Sequence, residues 1–257
     1  MVTLSAHGVG VTLAGKAVLR GVDASFAGGT LVGILGPNGA GKSTFVRALL
    51  GLVPATGEVR IDAAPIVSFS RAEVARTIAY LPQGQTLHWP LSVERLVALG
   101  RLPHLAPMSR MADADHAAVA RAMALADVEV LAGRTATELS GGERARVLMA
   151  RALAVAAPAL IADEPLASLD PAHQLQGMAI LRAEADAGVL VLAVLHDLGL
   201  AARFCDRLLL LNEGRVIADG APAEVLTPER LHDVYGISAF FGEAAGQRLV
   251  VPLSRVR

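Results

Sequence analysis

The segment that most constrains the fold of this chain is a glycine-rich loop at residues 36–43, with the sequence GPNGAGKS. It fills every fixed position of the phosphate-binding pattern G-x-x-x-x-G-K-[ST]. Residues 31–35 before it form an apolar run of buried-strand length, and residues 44–50 after it read as a helix that ends before Gly51. Strand, loop and helix in this order predict a nucleoside triphosphate site rather than a plain glycine turn.

The loop residues have separate predicted tasks. Backbone N–H groups of the loop and of the following helix N-terminus are expected to face phosphate oxygens. Lys42 is expected to reach the β- and γ-phosphates, and the Ser43 hydroxyl is expected to bind Mg²⁺. The predicted nucleotide contacts of this segment are Gly36, Pro37, Asn38, Gly39, Ala40, Gly41, Lys42, Ser43 and Thr44.

Charge and composition exclude several classes of protein. The 257 residues include 23 Lys and Arg against 24 Asp and Glu, so nucleic acid is not expected as the main partner. Hydrophobic residues make up 53% of the chain, but no apolar run approaches the roughly 18–20 residues that cross a bilayer. The first residues do not resemble a secretion signal, and Cys205 is the only cysteine. We therefore expect a cytoplasmic α/β protein without an internal disulfide.

Two consecutive carboxylates, Asp163 and Glu164, end an apolar strand predicted over residues 159–164. Such a strand is the expected magnesium-binding partner of a phosphate loop. Adjacent side chains of a strand point to opposite sides, so we assign Asp163 to the metal and Glu164 to orienting or deprotonating the attacking water. The alternative is a pair of solvated carboxylates at a strand end.

Three further stretches can contribute to the site. A helix predicted to begin at Ser140 has two glycines in its first turn, which suits either a second anion contact or an ordinary helix cap. His196 follows the apolar strand at residues 189–195, at the strand end where open α/β sheets bind ligands. Residues 84–137 are first loop-rich and then helical, which predicts a helical insertion.

Together and in this order, these motifs resemble the ATP-binding cassette ATPases over almost the whole chain. The resemblance implies an α/β fold, with a P-loop NTPase (RecA-like) core, an antiparallel β lobe and a helical insertion. It also implies one domain over residues 1–257, with a helical subdomain at about residues 84–155. By this resemblance the Walker A loop is residues 36–43, the Q-loop glutamine is Gln83, the signature is residues 139–143, Walker B ends at Asp163 and Glu164, the D-loop is residues 168–170 and the switch histidine is His196.

The resemblance also implies how the nucleotide is shared. In the family, two subunits pair head to tail, and each ATP lies between the Walker A loop of one copy and the signature of the other. A homodimer would bind ATP with Ser140, Gly141, Gly142 and Asp170 contributing across the interface. The implied Mg²⁺ ligands are Ser43, Asp163 and Gln83, and the implied catalytic residues are Lys42, Gln83, Glu164 as general base and His196 at the γ-phosphate.

One position departs from the family pattern. The family usually stacks adenine on an aromatic residue shortly before the strand that precedes Walker A, and Leu13 occupies that place in this chain. We expect adenine to rest on aliphatic surface near Leu13 and Val18. Discrimination between bases is then expected to be weaker than with an aromatic platform.

The chain looks like the separate ATPase subunit of a bacterial importer, because it is a single cassette without a membrane segment. Residues 100–104, 169–174 and 235–236 are similar to the group that serves iron–siderophore, haem and cobalamin uptake. The implied partners are a transmembrane permease and, through it, a substrate-binding protein, with the subunit at the cytoplasmic face of the membrane. A permease helix is expected on the surface around Gln83, Trp89 and the segment up to Gly100, unless Trp89 is a core aromatic.

Three other functions stay open. An importer ATPase for a different substrate, a soluble cassette ATPase that acts on nucleic acid or the ribosome, and a non-hydrolytic adaptor could all use this fold. The near-neutral charge argues against the nucleic-acid function. Intact Glu164 and His196 argue against the adaptor.

Overall fold

The computed structural model describes residues 1–84 and 87–256. The strands are Thr3–Leu13 (β1), Lys16–Ala27 (β2), Leu31–Leu35 (β3), Thr56–Ile61 (β4), Ala64–Pro65 (β5), Ile78–Leu81 (β6), Ala159–Asp163 (β7), Leu190–Val194 (β8), Arg207–Asn212 (β9), Arg215–Gly220 (β10), Ile237–Ala244 (β11) and Gln247–Arg255 (β12). The α-helices are Lys42–Leu49 (α1), Arg71–Thr77 (α2), Val93–Ala98 (α3), Asp113–Leu125 (α4), Gly141–Leu153 (α5), Pro171–Asp186 (α6), Leu198–Phe204 (α7), Pro222–Val225 (α8) and Pro228–Arg230 (α9).

A six-stranded sheet carries most of the predicted functional residues at one edge. Its order is β10-β9-β3-β8-β7-β6, with parallel pairing from β9 through β6 and antiparallel pairing of β10 with β9. Because parallel strands run the same way, the carboxyl ends of β3, β6, β7 and β8 lie at the same edge, where open α/β sheets bind ligands. The residues that follow these strands include the phosphate loop, Gln83, Glu164 and His196.

The central strands are buried on both faces and supply two different hydrophobic cores. In β7, Ala159 and Ile161 join the core that also contains residues of β1, β2 and α1, whereas Leu160 and Ala162 join the core shared with α3 to α7. Strands covered on both faces need apolar residues at nearly every position. This explains why the strands read as continuous apolar runs in the sequence.

The predicted antiparallel β lobe is a four-stranded sheet of order β2-β1-β4-β5. It packs against the first helix, where the rings of Phe26 on β2 and Phe45 on α1 have centroids 6.5 Å apart. The helix that follows the phosphate loop is therefore fixed between two sheets.

Helices α3, α4 and α5 pack together through buried residues such as Val97, Val119 and Val147. They occupy the region in which the sequence predicts a helical insertion. The subdomain boundary at residues 84–155 stays a prediction, and residues 85 and 86 within it lie outside the described residues. None of the helices in the described part of the chain combines the length and the apolar character that crossing a membrane requires.

A C-terminal hairpin of β11 and β12 packs on α7, and no motif in the sequence predicts it. Val250 of β12 is buried, and Arg203 Nε of α7 donates a 2.6 Å hydrogen bond to Gln247 Oε1. A Cβ at Gly199 would lie 3.3 Å from the Val250 carbonyl oxygen. The hairpin thus braces the helix that begins just after His196.

Candidate nucleotide-binding site

The phosphate loop has a backbone path that accepts only glycine at two positions. Gly36 has a φ of 146°, and a Cβ there would lie 2.1 Å from the carbonyl oxygen of Leu211. Gly41 has a φ of 101°, and a Cβ there would lie 2.8 Å from Leu19 Cδ2. Both combine a left-handed backbone with a neighbour that a side chain would displace. The loop is therefore closely fitted into the surrounding strands.

Lys42 is buried and folds back over the loop. Its Nζ donates hydrogen bonds to the carbonyl oxygens of Gly36 at 2.7 Å and Pro37 at 3.1 Å. Burial lowers the pKa of Lys42, and the nearby charges of Glu164 and Asp163 act in the opposite direction. An ammonium group has three N–H donors, so Lys42 can hold these two carbonyls and still reach a phosphate oxygen.

Ser43 and Asp163 form the part of the site that fits a hard cation. Ser43 Oγ donates a 3.0 Å hydrogen bond to Asp163 Oδ1, whereas Asp163 Oδ2 is buried without a hydrogen-bond partner among the described residues. Burial is the main cause that raises the pKa of Asp163. A hydroxyl and an unsatisfied carboxylate oxygen are ligands that Mg²⁺ accepts, together with waters and phosphate oxygens. Across residues 1–84 and 87–256 there is no cluster of three or more His, Cys, Asp or Glu that could hold a metal. Ser43 and Asp163 offer two oxygen ligands, and the other positions around Mg²⁺ would be filled by water and phosphate oxygens.

Glu164 lies between two other predicted catalytic side chains. Gln83 Nε2 donates a 2.5 Å hydrogen bond to Glu164 Oε2, and His196 Nε2 lies 2.6 Å from Glu164 Oε1. β7 ends at Asp163, and Glu164 has a φ of 54°. The two carboxylates contact different partners because the backbone turns between them. Our sequence-based reason for this divergence, alternation along a strand through residue 164, is wrong.

These groups surround an open cleft of about 520 Å³. Its walls are formed by Val18, Asn38, Gly39, Ala40, Gly41, Lys42, Ser43, Thr44, Gln83, Glu164 and His196. Gly36 and Pro37 contribute through their contacts with Lys42. Leu13 ends β1 with its side chain partly exposed and is not part of this lining. Its contact with adenine stays a prediction.

The predicted signature lies at the start of α5 and does not line that cleft. Ser140 Oγ accepts a 3.3 Å hydrogen bond from Glu143 N, and Ser140 N donates a 2.8 Å hydrogen bond to Glu143 Oε2. Glu143 also forms a 2.6 Å ion pair with Arg134. Hydrogen bonds from Ser140 are the main cause that lowers the pKa of Glu143. This capping box satisfies the N–H groups of Ser140 and Glu143, and those of Gly141 and Gly142 are not among the donors that it uses.

The predicted D-loop lies beside the signature of the same chain. A Cβ at Gly141 would lie 3.8 Å from Ser168 Cβ. Asp170 caps α6, since its Oδ1 accepts a 3.0 Å hydrogen bond from His173 N and its Oδ2 lies 2.6 Å from His173 Nδ1. The backbone hydrogen bond from His173 is the main cause that lowers the pKa of Asp170. The structure thus places the predicted nucleotide residues in two groups, and Gly141 and Ser168 of the signature group share a cavity of about 190 Å³ with Asp163 and Glu164.

Two aromatic residues refine the sequence-based interpretation. Burial is the larger cause acting on Tyr235, to which sequence reasoning gave no chemistry, and raises its pKa to about 12, but Tyr235 also lies close enough to the Gly36 backbone for that backbone to act in the opposite direction. This contact joins distant parts of the chain, so no local pattern predicts it. Trp89 is 75% exposed, so the alternative that it is a core aromatic is wrong.

Comparison with curated relatives identifies the family. The family model described as ABC transporter matches residues 19–167. A hemin import ATP-binding protein of Streptomyces coelicolor is 46% identical over 254 residues, which cover 98% of this chain and 90% of the relative. A cobalamin import ATP-binding protein of Halobacterium salinarum is 45% identical over 255 residues, which cover 98% of this chain but 64% of the relative. The chain thus spans less than two thirds of the length of that cobalamin relative.

A solved structure shares the fold. A dimeric ATP-binding cassette in a post-hydrolysis state, bound to ADP and Pi, is 28% identical with a TM-score of 0.74 over 86% of this chain and 99% of its own. This likeness confirms the predicted α/β fold of an ATP-binding cassette. The family model covers more than half of the chain, and the hemin import relative matches most of it at 46% identity. The chain therefore belongs to the ABC transporter family.

Proposed function

We propose that this chain is the ATP-hydrolysing subunit of a bacterial importer and works as a homodimer on a transmembrane permease. The observation that carries the hydrolysis is the position of Glu164, held between Gln83 and His196 at the phosphate-loop cleft. The import role is supported by relatives named for hemin and cobalamin import.

ATP and Mg²⁺ would share the phosphate-loop side of the cleft. The loop N–H groups and Lys42 would hold the phosphates, and the unsatisfied Asp163 oxygen and the Ser43 hydroxyl would hold the cation. Bound Mg²⁺ supplies charge neutralisation at the β- and γ-phosphate oxygens. Gln83 would join this set by moving its amide from Glu164 toward the cation.

Glu164 would act as the general base for the attacking water. Both of its carboxylate oxygens contact N–H donors in this structure, from Gln83 and from His196. Each carboxylate oxygen has two lone pairs, so Glu164 can keep these contacts and still accept a hydrogen bond from the attacking water. His196 would contact the γ-phosphate while Gln83 serves the cation, and both side chains lie in the wall of the cleft.

A second copy of the chain would complete each site. The signature and Asp170 do not line the phosphate-loop cleft of their own chain, and we infer that they act on a nucleotide bound by another copy. The dimeric cassette with ADP and Pi supports this arrangement. The N-terminal end of α5, with Ser140, Gly141 and Gly142, would then face the γ-phosphate across the interface.

Adenine would rest on aliphatic side chains. Val18 lies in the wall of the cleft and Leu13 lies at the end of the same hairpin. An aromatic pair contributes about 0.5–1.5 kcal/mol beyond burial. Aliphatic side chains do not provide this stacking energy to adenine. GTP is expected to displace a fluorescent ATP analogue within about tenfold of the ATP concentration required. A much stronger preference for ATP would contradict this assignment.

The permease would bind on the surface around Gln83 and Trp89, where the indole is exposed. The subunit would then be peripheral on the cytoplasmic face of the membrane, with a substrate-binding protein delivering hemin, cobalamin or another metal chelate on the opposite side. Trp89→Ala is expected to lower permease binding and uptake while the subunit stays folded. Unchanged uptake by a stably folded Trp89→Ala subunit would exclude this surface.

Hydrolysis is tested by replacing the general base. Glu164→Gln is expected to bind ATP normally and to release phosphate about 10²- to 10⁴-fold more slowly, because water activation is lost while positioning survives. Phosphate release by the purified chain with Mg²⁺ and with EDTA measures this, and Glu129→Gln, at an exposed site, is the charge-matched control. Rapid hydrolysis by Glu164→Gln would refute the role.

Import is tested in a host strain that lacks this chain. Uptake of hemin and of cobalamin is measured after return of the parent, Glu164→Gln or an empty vector. Restoration by the parent alone supports an importer and selects the substrate. Hydrolysis that is stimulated by DNA or ribosomes, without restored uptake, would favour the soluble cassette ATPase instead.

A further inference from the structure

We propose that Arg101 is a positioning residue for the signature helix α5, an inference that rests on the proposed function. Arg101 lies in the 3₁₀ turn Leu99–His104, directly after α3. It is only 8% exposed, although arginine is almost never buried without partners. Its partners lie at the C-terminal end of α5 and at the start of α4, away from the nucleotide cleft.

Arg101 and His104 cap the end of α5. Arg101 Nη1 donates 2.8 Å hydrogen bonds to the carbonyl oxygens of Ala154 and of Val155. His104 Nε2 lies 2.8 Å from the same Val155 oxygen. Carbonyls at a helix C-terminus lack helical partners and carry partial negative charge. A guanidinium group at this place satisfies both needs.

A buried carboxylate fixes the guanidinium group. Arg101 Nε donates a 2.9 Å hydrogen bond to Asp115 Oδ1, and Asp115 Oδ2 accepts a 2.9 Å hydrogen bond from Ala112 N at the start of α4. Both side chains of this ion pair are buried. The pair therefore joins the end of α5 to the start of α4 and to the turn after α3.

The same stretch of chain also holds the other end of α5. Val93 N donates a 3.0 Å hydrogen bond to the carbonyl oxygen of Arg134, and the Arg134 side chain pairs with Glu143 in the capping box. Residues 93–104 thus contact both the loop that enters α5 and the residues that follow it. Movement of this stretch, which follows the proposed permease surface at Trp89, would carry α5 with it.

The length of α5 explains how contacts at its C-terminal end affect the position of the signature at its N-terminal end. With 13 residues at 1.5 Å each, α5 is about 20 Å long, so a tilt of a few degrees at one end moves the other by about 1 Å. Displacements of about 1 Å are large for groups that must meet a phosphate. Gly100 allows the turn to approach closely, since a Cβ there would lie 2.3 Å from the carbonyl oxygen of Arg151.

The test separates ATP binding by one copy from assembly of two. The Glu164→Gln protein serves as the parent in this test, and all further substitutions are added to it. Arg101→Gln is expected to bind a fluorescent ATP analogue with an affinity within twofold of this parent. The protein concentration at half-assembly with saturating MgATP, measured by analytical ultracentrifugation, is expected to rise at least about tenfold. Arg101→Lys keeps the charge but loses the planar fork, so its shift should be intermediate. If Arg101 only stabilised the fold, ATP binding and assembly would weaken together. Unchanged ATP binding with weakened assembly would therefore indicate a positioning role.

Two further variants keep the inference falsifiable. Gly100→Ala disturbs the packing of the same turn against α5 without removing a charge and should likewise weaken assembly but not ATP binding, whereas Arg110→Gln, at an exposed site, should match the parent. If Arg101→Gln does not fold, Arg101→Lys and Gly100→Ala decide the outcome. Parent-like assembly of these variants, or equal losses of binding and assembly, would overturn the inference alone. A parent that binds MgATP without assembling would instead contradict the proposed homodimer, and with it this inference.

Discussion

The phosphate loop and the signature helix are held in place by different means. At the loop, backbone groups approach so closely that a side chain at Gly36 would meet the Leu211 carbonyl oxygen at 2.1 Å. At the signature helix, polar side chains hold both ends, through the capping box of Ser140 and Glu143 and through Arg101. The loop is therefore held mainly by backbone packing, whereas the signature helix depends on specific side-chain partners at each end.

This difference fits the separate roles that we propose for the two regions. The cleft around Lys42 and Ser43 contains the groups needed to bind MgATP within one chain. The signature acts only when a second copy arrives, so its orientation has to respond to partners. Substitutions at the loop should therefore change ATP binding, and substitutions at the signature should change assembly.

Lys42→Met should have the largest effect and tests the loop side. Hydrogen bonds to charged groups are worth about 1.5–3 kcal/mol, so ATP affinity should fall by about 10- to 100-fold in isothermal titration. Methionine also leaves the carbonyl oxygens of Gly36 and Pro37 without the Lys42 donor, so a lower melting temperature is expected as well. The titration is run where both proteins are folded. Parent-like ATP affinity in Lys42→Met would remove Lys42 from the phosphate site.

Ser140→Ala tests the signature side with a smaller expected effect. Loss of a serine cap costs about 1 kcal/mol, and the concentration for MgATP-driven assembly of the Glu164→Gln protein should rise about fivefold while ATP affinity stays unchanged. Ser70→Ala is the matched control, because Ser70 and Glu73 form the same capping box on α2. It should lose similar stability without weakening assembly. Equal shifts in assembly would mean that helix stability alone is being measured.

Tyr235→Phe asks whether the loop depends on the C-terminal segment. The variant removes the hydroxyl beside the Gly36 backbone and keeps the ring, and loss of this polar contact should lower ATP affinity about two- to tenfold. Ser254→Ala, in the same C-terminal hairpin and paired with Ser238, is the control. If the two variants bound ATP equally well, the loop would hold its shape without Tyr235.

The features that the sequence predicted are short in range. The phosphate loop, the serine caps of α2 and α5 and the strands before Asp163 and His196 are each encoded in a few consecutive residues. Parallel pairing then brings the strand ends to one edge of the sheet. Glu164 and His196 could therefore be grouped from strand ends alone, whereas Gln83 joined them only through the family resemblance.

The features that were not predicted depend on packing between distant segments. The targets of Arg101 are carbonyl oxygens of residues 154 and 155, which carry no side-chain signal. The left-handed backbone at Glu164 is rare for a non-glycine residue, so strand alternation was the natural but incorrect expectation. Tyr235 meets Gly36 only because the end of the chain folds back to the loop.

Asp163→Asn should have the smallest effect, on stability without nucleotide. Burial raises the pKa of Asp163, so the folded chain holds the proton more tightly than the unfolded chain. Stability is then greatest below the unfolded pKa of about 3.9 and falls as pH rises to the folded pKa. Asparagine does not ionise, so the stability of Asp163→Asn should not fall with pH for this reason. At pH 7.5 the variant should melt about 2–4 °C higher, the shift expected per kcal/mol for a chain of this size, and the difference should shrink towards pH 4.

With MgATP, the parent should melt at a higher temperature than Asp163→Asn. This result would distinguish a cation-binding carboxylate from one that is only destabilised by burial. A bound cation offsets the buried negative charge, so the parent should gain more melting temperature from MgATP than Asp163→Asn does. Asp113→Asn, at an exposed site, should follow the parent under every condition. Equal gains for parent and Asp163→Asn would mean that Asp163 does not hold the cation. A reversal would mean that the loop side keeps a costly buried charge because the nucleotide-bound metal requires it.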